Sequence, residues 1–152
     1  MSVFSYRQGR HITGIPAQVA GEELERLRMT NNGALTAHAV LEAARSMESV
    51  LHGAFPWDDS EAAEQHRLNE ARKLIESVQV FSPTMARPVP VHINVRAPEG
   101  RSYRATMDVL SDAQLRERAL QDVAVALEQL RKKYSSFTDI IEMLNRMKSI
   151  AS

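Results

Sequence analysis

The chain has 152 residues, of which 43% are hydrophobic and 25% charged; nineteen basic side chains balance nineteen acidic ones, and there is no cysteine. That length suits one ordinary domain with a real core, the zero net charge excludes a protein that coats nucleic acid by charge alone, and the missing thiols exclude disulfides, thiol catalysis and cysteine-based zinc sites. No apolar run approaches the roughly 20 residues of a membrane span and the first residues lack the apolar stretch of a signal peptide, so no membrane partner is expected and the chain should stay where it is made.

Residues 1–16 read as an N-terminal arm, a polar lead with scattered apolar residues (Val3, Phe4, Tyr6, Ile12, Ile15) that ends in Pro16, a residue suited to a first helical turn. A first helix is expected from about Ala17 to Arg28, with Val19, Leu24 and Leu27 inward and Glu22, Glu23, Glu25 and Arg26 largely in water. Asn31, Asn32 and Gly33 tolerate left-handed backbone and should stop it. Thr36 is placed to cap a second helix carrying Ala39, Val40, Ala43, Ala44 and Met47, after which Gly53 and Pro56 force a turn. A third helix should open at a capping box formed by Asp58 and Glu61. Its apolar stripe is Leu68, Ala71, Leu74, Ile75 and Val78, which leaves His66, Arg67, Asn69 and Lys73 facing water.

Beyond Val78 the period changes to two. Val89, Val91, Ile93 and Val95 alternate with Pro90, His92, Asn94 and Arg96, the pattern of a strand with one buried face, and Pro88 and Pro90 point to an edge. Ala97–Gly100 supplies the turn of a β-hairpin whose second strand covers residues 101–107, Val78–Phe81 could add a third strand, and Ser82–Arg87 reads as an exposed loop. A second capping box, Ser111 with Gln114, should open the longest helix, to about Tyr134. Along it Leu120, Val123, Leu127, Leu130 and Tyr134 follow a 3-4-3-4 seam suited to another helix. After Ser135 and Ser136 a last helix continues the stripe with Phe137, Ile140, Ile141, Leu144, Met147 and Ile150. The expected fold is α+β: N-terminal helices, a small antiparallel hairpin or three-stranded sheet, and two C-terminal helices. Residues 17–110 form the helical and hairpin core, and residues 111–152 a helical hairpin packed on that core or on a neighbouring subunit.

Charge is unevenly spread. Residues 17–64 hold three basic and nine acidic side chains, whereas residues 65–152 hold fourteen and ten, an asymmetry that would suit self-association or one basic face. For chemistry the pattern offers little. The five histidines lack the i, i+4 spacing of a helical zinc pair, and His52, Asp58, Asp59 and His66 make only a loose set. Phosphate-loop, nucleophile-elbow and dinucleotide patterns do not occur. No catalytic residue, no metal and no cofactor is therefore expected.

Two non-enzymatic readings remain. Three helices followed by a hairpin follow the order of a winged helix-turn-helix module; His66, Arg67, Asn69 and Lys73 on the third helix and Arg96, Arg101 and Arg104 around the hairpin turn would then meet DNA. Glu61, Glu64, Glu70 and Glu76 on the same helix oppose a polyanion. The other reading is an assembly protein whose interface is Leu120, Val123, Leu127, Leu130, Tyr134, Ile140, Ile141, Leu144 and Met147.

Tyr6 and Gly9, then GEELERL (Gly21–Leu27), LTAHAVLEAAR (Leu35–Arg45), Leu51-His52, the segment Phe55–Ala63 with its WDD, and Ala71–Ile75 together resemble a group of small bacteriophage and prophage proteins of uncharacterised function. The resemblance is clear over the first half and loose beyond it, and Ala37 stands where the group usually has proline. It brings no catalytic residues. What it implies is a viral context, in a bacterial host cytoplasm or in the virion, with further copies of the chain or other phage proteins as partners and DNA as the alternative.

Overall fold

The computed structural model describes residues 2–10, 12, 14–58, 61–81 and 83–151, with the backbone alone at 61 and 62. Among the described residues, six α-helices and five short strands fall into two compact units, the first within residues 1–94 and 102–107 and the second within residues 95–101 and 108–152. The class is α+β, as the sequence pattern predicts.

In the first unit, α1 (Ala17–Thr30) follows Pro16, which occupies the cap position with an extended backbone instead of lying in the first turn. The helix stops where Asn32 and Gly33 take positive φ, 54° and 82°, and the Gly33 amide bonds the Arg28 carbonyl. Thr36 caps α2 (Ala37–Ala44), its hydroxyl accepting from the Ala39 amide at 3.1 Å. This helix buries Ala37, Val40, Leu41 and Ala44, whereas Met47 lies beyond its end and is 86% exposed. The helical spacing therefore overreached, because the chain turns at residues 45–50 and carries Met47 away from the core.

A 3-10 turn at His52–Ala54 leads to α3 (Glu61–Ser77). Because α3 starts at Glu61, the residue before it and the Glu61 side chain lie outside the described residues, and so does the expected capping box. Asp58 has a different role, described below. Leu68, Ala71, Leu74, Ile75 and Val78 are buried as the stripe requires. They join Leu24, Leu35, Val40, Leu41, Leu51 and Phe55 in the core of this unit.

The N-terminal lead is more than an arm: Phe4–Tyr6 forms β1, paired antiparallel with β2 (Val78–Val80), which pairs in turn with β3 (Val89–Pro90). The period-two run expected as one strand is split. β3 ends at Pro90, which has no amide to donate; Val91 turns aside, its amide bonding Val78 and its carbonyl accepting from Thr106. β4 (His92–Ala97) then begins a different sheet with β5 (Gly100–Ala105). The alternation fails at His92, which is buried where a solvent-facing residue was expected, while Ile93 is half-exposed. Gly100, with φ 120°, closes the turn. An isolated bridge joins Leu35, between α1 and α2, to Tyr103 in β5: each amide donates to the other's carbonyl, at 2.8 and 2.7 Å.

In the second unit, α5 (Ala113–Lys133) and α6 (Thr138–Ala151) form an antiparallel hairpin. Ser111 does not cap α5. It ends α4 (Thr106–Ser111), a short helix the sequence pattern did not reveal, and its hydroxyl donates back to the Asp108 carbonyl at 3.1 Å. Asp112 caps α5, its carboxylate accepting from the Leu115 amide at 2.9 Å.

Candidate functional site

The segment between α2 and α3 is held by side chains. The indole of Trp57 stacks on the His52 ring (centroids 4.9 Å apart, planes at 10°) and donates to the His52 carbonyl at 2.9 Å; His52 Nδ1 donates to the Ala44 carbonyl at 2.9 Å. Over the indole lies the Arg67 guanidinium, 5.3 Å from the ring centroid. Arg67 donates from Nε to the Pro56 carbonyl at 2.6 Å, from Nη1 to Glu64 at 3.2 Å and from Nη2 to the Asp58 carbonyl, with the Asp58 carboxylate 3.6 Å away. Its side chain is only 7% exposed. Arg67 is thus a buried clamp on the loop, not the water-facing cation the helical spacing implied, because the carbonyls of Pro56 and Asp58 satisfy its fork.

The other candidate nucleic-acid contacts divide between the units. His66, Asn69 and Lys73 share the exposed face of α3, where Asn69 accepts from Arg72 at 2.8 Å and Lys73 pairs with Glu70 at 2.6 Å. Arg104, in β5 of the same unit, is half-buried and reaches the Ser102 hydroxyl at 3.3 Å. Arg96 and Arg101 belong to the second unit. There Arg101 makes a two-pronged pair with Asp122 of α5 (3.0 and 3.1 Å), and the Arg96 carbonyl accepts from Arg118 at 3.4 Å. Several of these cations are thus already neutralised by carboxylates.

Sequence spacing gave no sign of a buried polar contact between Glu25 of α1 and His92 of β4, sixty-seven residues apart. Glu25 Oε1 lies 2.7 Å from His92 Nε2, and its carboxylate also pairs with Arg28 at 3.0 Å. Burial alone would raise the Glu25 carboxyl, but hydrogen bonds and charge from His92 and Arg28 outweigh it and hold the group down at about 2. The His92 side chain is fully buried, and its Nδ1 has no hydrogen-bond partner among the described residues. Beside it Tyr103 donates to Glu76 at 2.7 Å, and burial together with that carboxylate raises its phenol. His92, Tyr103, Glu76 and Arg7 line an open cavity of about 200 Å³. The Glu25 carboxylate is thus bonded to both His92 and Arg28, and the Tyr103 phenol to Glu76, so these side chains hold one another in place.

The helical hairpin gives a different picture. Of the nine residues expected at an interface, Leu127 and Leu144 are buried, and Tyr134, Ile140 and Ile141 are half-buried. Leu120, Val123, Leu130 and Met147 are 42–46% exposed. Phe137, Met143 and Ile150, outside that set, are exposed as well, Ile150 to 85%. Leu127 and Leu144 are thus the buried residues of their helices, and the exposed apolar surface consists of their neighbours. Phe137 and Ile150 were already visible in the stripe of the last helix; Met143, one position off it, was not. Among the described residues no group of histidine, aspartate or glutamate could hold a metal ion, and no helix is long and apolar enough to cross a membrane. No protein-family model matches the chain, and no curated protein or solved structure shows significant similarity to it.

Proposed function

We propose that this is a non-enzymatic protein that acts through protein–protein contacts as an assembly component, and that α5 and α6 carry its contact surface. The observation behind this reading is the hairpin's surplus of apolar surface. Leu120, Val123, Leu130, Met143, Met147 and Ile150 of the two helices, and Phe137 in the connection between them, are each at least 42% exposed, more apolar surface than a hairpin working alone in water needs. With the resemblance to small phage and prophage proteins, it supports a role in building or completing a particle. The test is light scattering after size-exclusion chromatography at low and moderate salt, with and without a mixed-sequence duplex. A defined oligomer indifferent to DNA is expected; a monomer at every protein concentration and salt counts against oligomerisation.

A second reading has one specific observation in its favour. The bridge between Leu35 and Tyr103 adds a single-residue strand between α1 and α2 that is bonded to β5, so that, leaving aside β2 and β3, which intervene between α3 and β4, the order of helices and hairpin is similar to that of a winged helix-turn-helix module. In that reading α3 presents Gln65, His66, Asn69, Arg72 and Lys73, all exposed, to DNA. Fluorescence anisotropy with a labelled duplex tests it. Binding that weakens steeply with salt and loses about one unit of salt slope in Lys73→Ala supports it, and weak, salt-independent association opposes it.

A further inference from the structure

The two flanks of the α5–α6 hairpin differ in character, and helical geometry separates them. Leu127 and Leu144 mark the inward direction of their helices. At about 100° per residue, Glu128 and Arg131 of α5 and Lys148 of α6 turn to one flank. Their ion pairs agree with this placement, since the Glu128 carboxylate bonds Arg131 at 2.8 Å and, across the hairpin, Lys148 at 3.2 Å. The same rotation puts Val123, Ala126 and Leu130 of α5, with Ile140, Met143, Met147 and Ile150 of α6, on the opposite flank. One flank is closed by ion pairs; the other is mainly apolar, bordered by Lys133 and by the Arg101–Asp122 pair, and its exposed Ala126 leaves room for a close helix approach.

Resting on the assembly reading above, we infer that this apolar flank binds the same flank of a second copy, so that two hairpins form an antiparallel four-helix bundle. Three observations select a second copy over an unlike partner. First, the hairpin is close to neutral, with seven basic and six acidic residues in 112–151; it offers no charge complementarity to a polyanion or a polycation and little repulsion to itself. Second, Val123, Leu130, Met143, Met147 and Ile150 are 42–85% exposed. At roughly 150–200 Å² for a large apolar residue, that leaves on the order of 500 Å² per copy, and two such faces reach the ~1,000 Å² at which specific interfaces begin. Third, each helix buries one residue, Leu127 or Leu144, whereas packing a second hairpin on the open flank adds the row that a four-helix bundle core requires.

Sedimentation equilibrium of the full chain tests the inference together with methionine oxidation by peroxide, read by peptide mass spectrometry. The wild-type chain is expected to dimerise, with Met143 and Met147 protected relative to Met29 and Met47 of the first unit, and with that protection lost on dilution to monomer. Met143→Glu and Met147→Glu are expected to weaken dimerisation at least tenfold with helicity retained, whereas Asn145→Glu, on the ion-paired flank, leaves it unchanged. Dissociation by Asn145→Glu as strong as by Met147→Glu overturns the choice of flank. A wild-type monomer with Met143 and Met147 freely oxidised overturns self-association but leaves a contact surface bare for another protein. A monomer in which both are protected overturns the assembly reading as well.

Discussion

Gly21→Ala tests the anchoring of the N-terminal strand through the sign of its effect. Gly21 lies inside α1, where an alanine would ordinarily stabilise a helix by about 0.5–1 kcal/mol. A Cβ at this position, however, would stand 2.6–2.7 Å from the Cδ atoms of Phe4 and closer still to Cγ. The ring lies against α1 at a position that has no Cβ. Phe4 also holds β1: its amide donates to Gln18 Oε1 at 3.0 Å, and two residues on the Tyr6 hydroxyl donates to the Ile15 carbonyl at 2.8 Å. Lifting the ring forfeits about half of the ~1.5–3 kcal/mol that burying a large apolar side chain contributes, because Phe4 is only half-buried. One or two hydrogen bonds of ~0.5–1.5 kcal/mol each would go with it. Set against the propensity gain, the expected result is a net loss of about 1–2 kcal/mol in urea unfolding, with faster hydrogen exchange at the amides that join β1 to β2. In a Phe4→Ala background the same substitution should become stabilising, giving a coupling of about 2 kcal/mol in a double-mutant cycle. A single Gly21→Ala variant that is more stable than wild type and keeps β1 protected would falsify the account of how the strand is seated.

Three further outcomes follow from the site geometry. Arg67→Lys keeps the charge but loses the fork that reaches the carbonyls of Pro56 and Asp58 and lies over Trp57; a loss of about 2–3 kcal/mol is expected, read by urea unfolding followed through Trp57, the only tryptophan, and a loss under about 0.5 kcal/mol would mean that the fork does not hold the loop. For Glu25, the folded carboxyl is held down at about 2 against an unperturbed 4.5, so its contribution is present above pH 4.5 and is lost as pH falls toward 2; that difference corresponds to about 3–4 kcal/mol, cut to roughly 2–3 kcal/mol by solvent screening of the partly exposed carboxylate, and Glu25→Gln should flatten the stability–pH curve in that window, an unchanged slope there refuting the assignment. Thr36→Ala and Asp112→Ala each remove a cap hydrogen bond and should cost about 1 kcal/mol while Thr36→Asn and Asp112→Asn keep most of it; equal losses from the alanine and asparagine variants would assign the effect to packing instead.

Local signals in the sequence were read correctly where one residue type serves one backbone need. Thr36 caps α2, Asn32 and Gly33 end α1 in left-handed geometry, and Gly100 closes the ribbon turn. Misreading began where two local solutions compete within a residue. Ser111 and Asp112 could both open α5, and the short α4 decides for Asp112 by taking Ser111 as its own last residue. Pro90 fits one interrupted strand as well as two separate ones; the chain bends at Val91, whose amide still bonds Val78 in the register of the first sheet while its carbonyl accepts from Thr106, and β4 begins the second sheet beyond it. Arg67 and Glu25 failed for a different reason. Helical spacing assigns a charged residue to water unless a partner meets it, and their partners come from a preceding loop and from a strand sixty-seven residues away.

The apolar seam of the last two helices combines both kinds of outcome. Spacing marks apolar residues whose exposure to water is unfavourable, but it carries no information on whose atoms cover them. Two antiparallel helices can bury only the row along their common line, here Leu127 and Leu144. A stripe spread over 3-4 spacing is wider than that row, so the excess must emerge on a flank. The Glu128–Lys148 pair occupies one flank, and the surplus, Val123, Leu130, Met143, Met147 and Ile150, is left on the other. The width of the stripe, more than its hydrophobicity, is what argues for a second layer of helices.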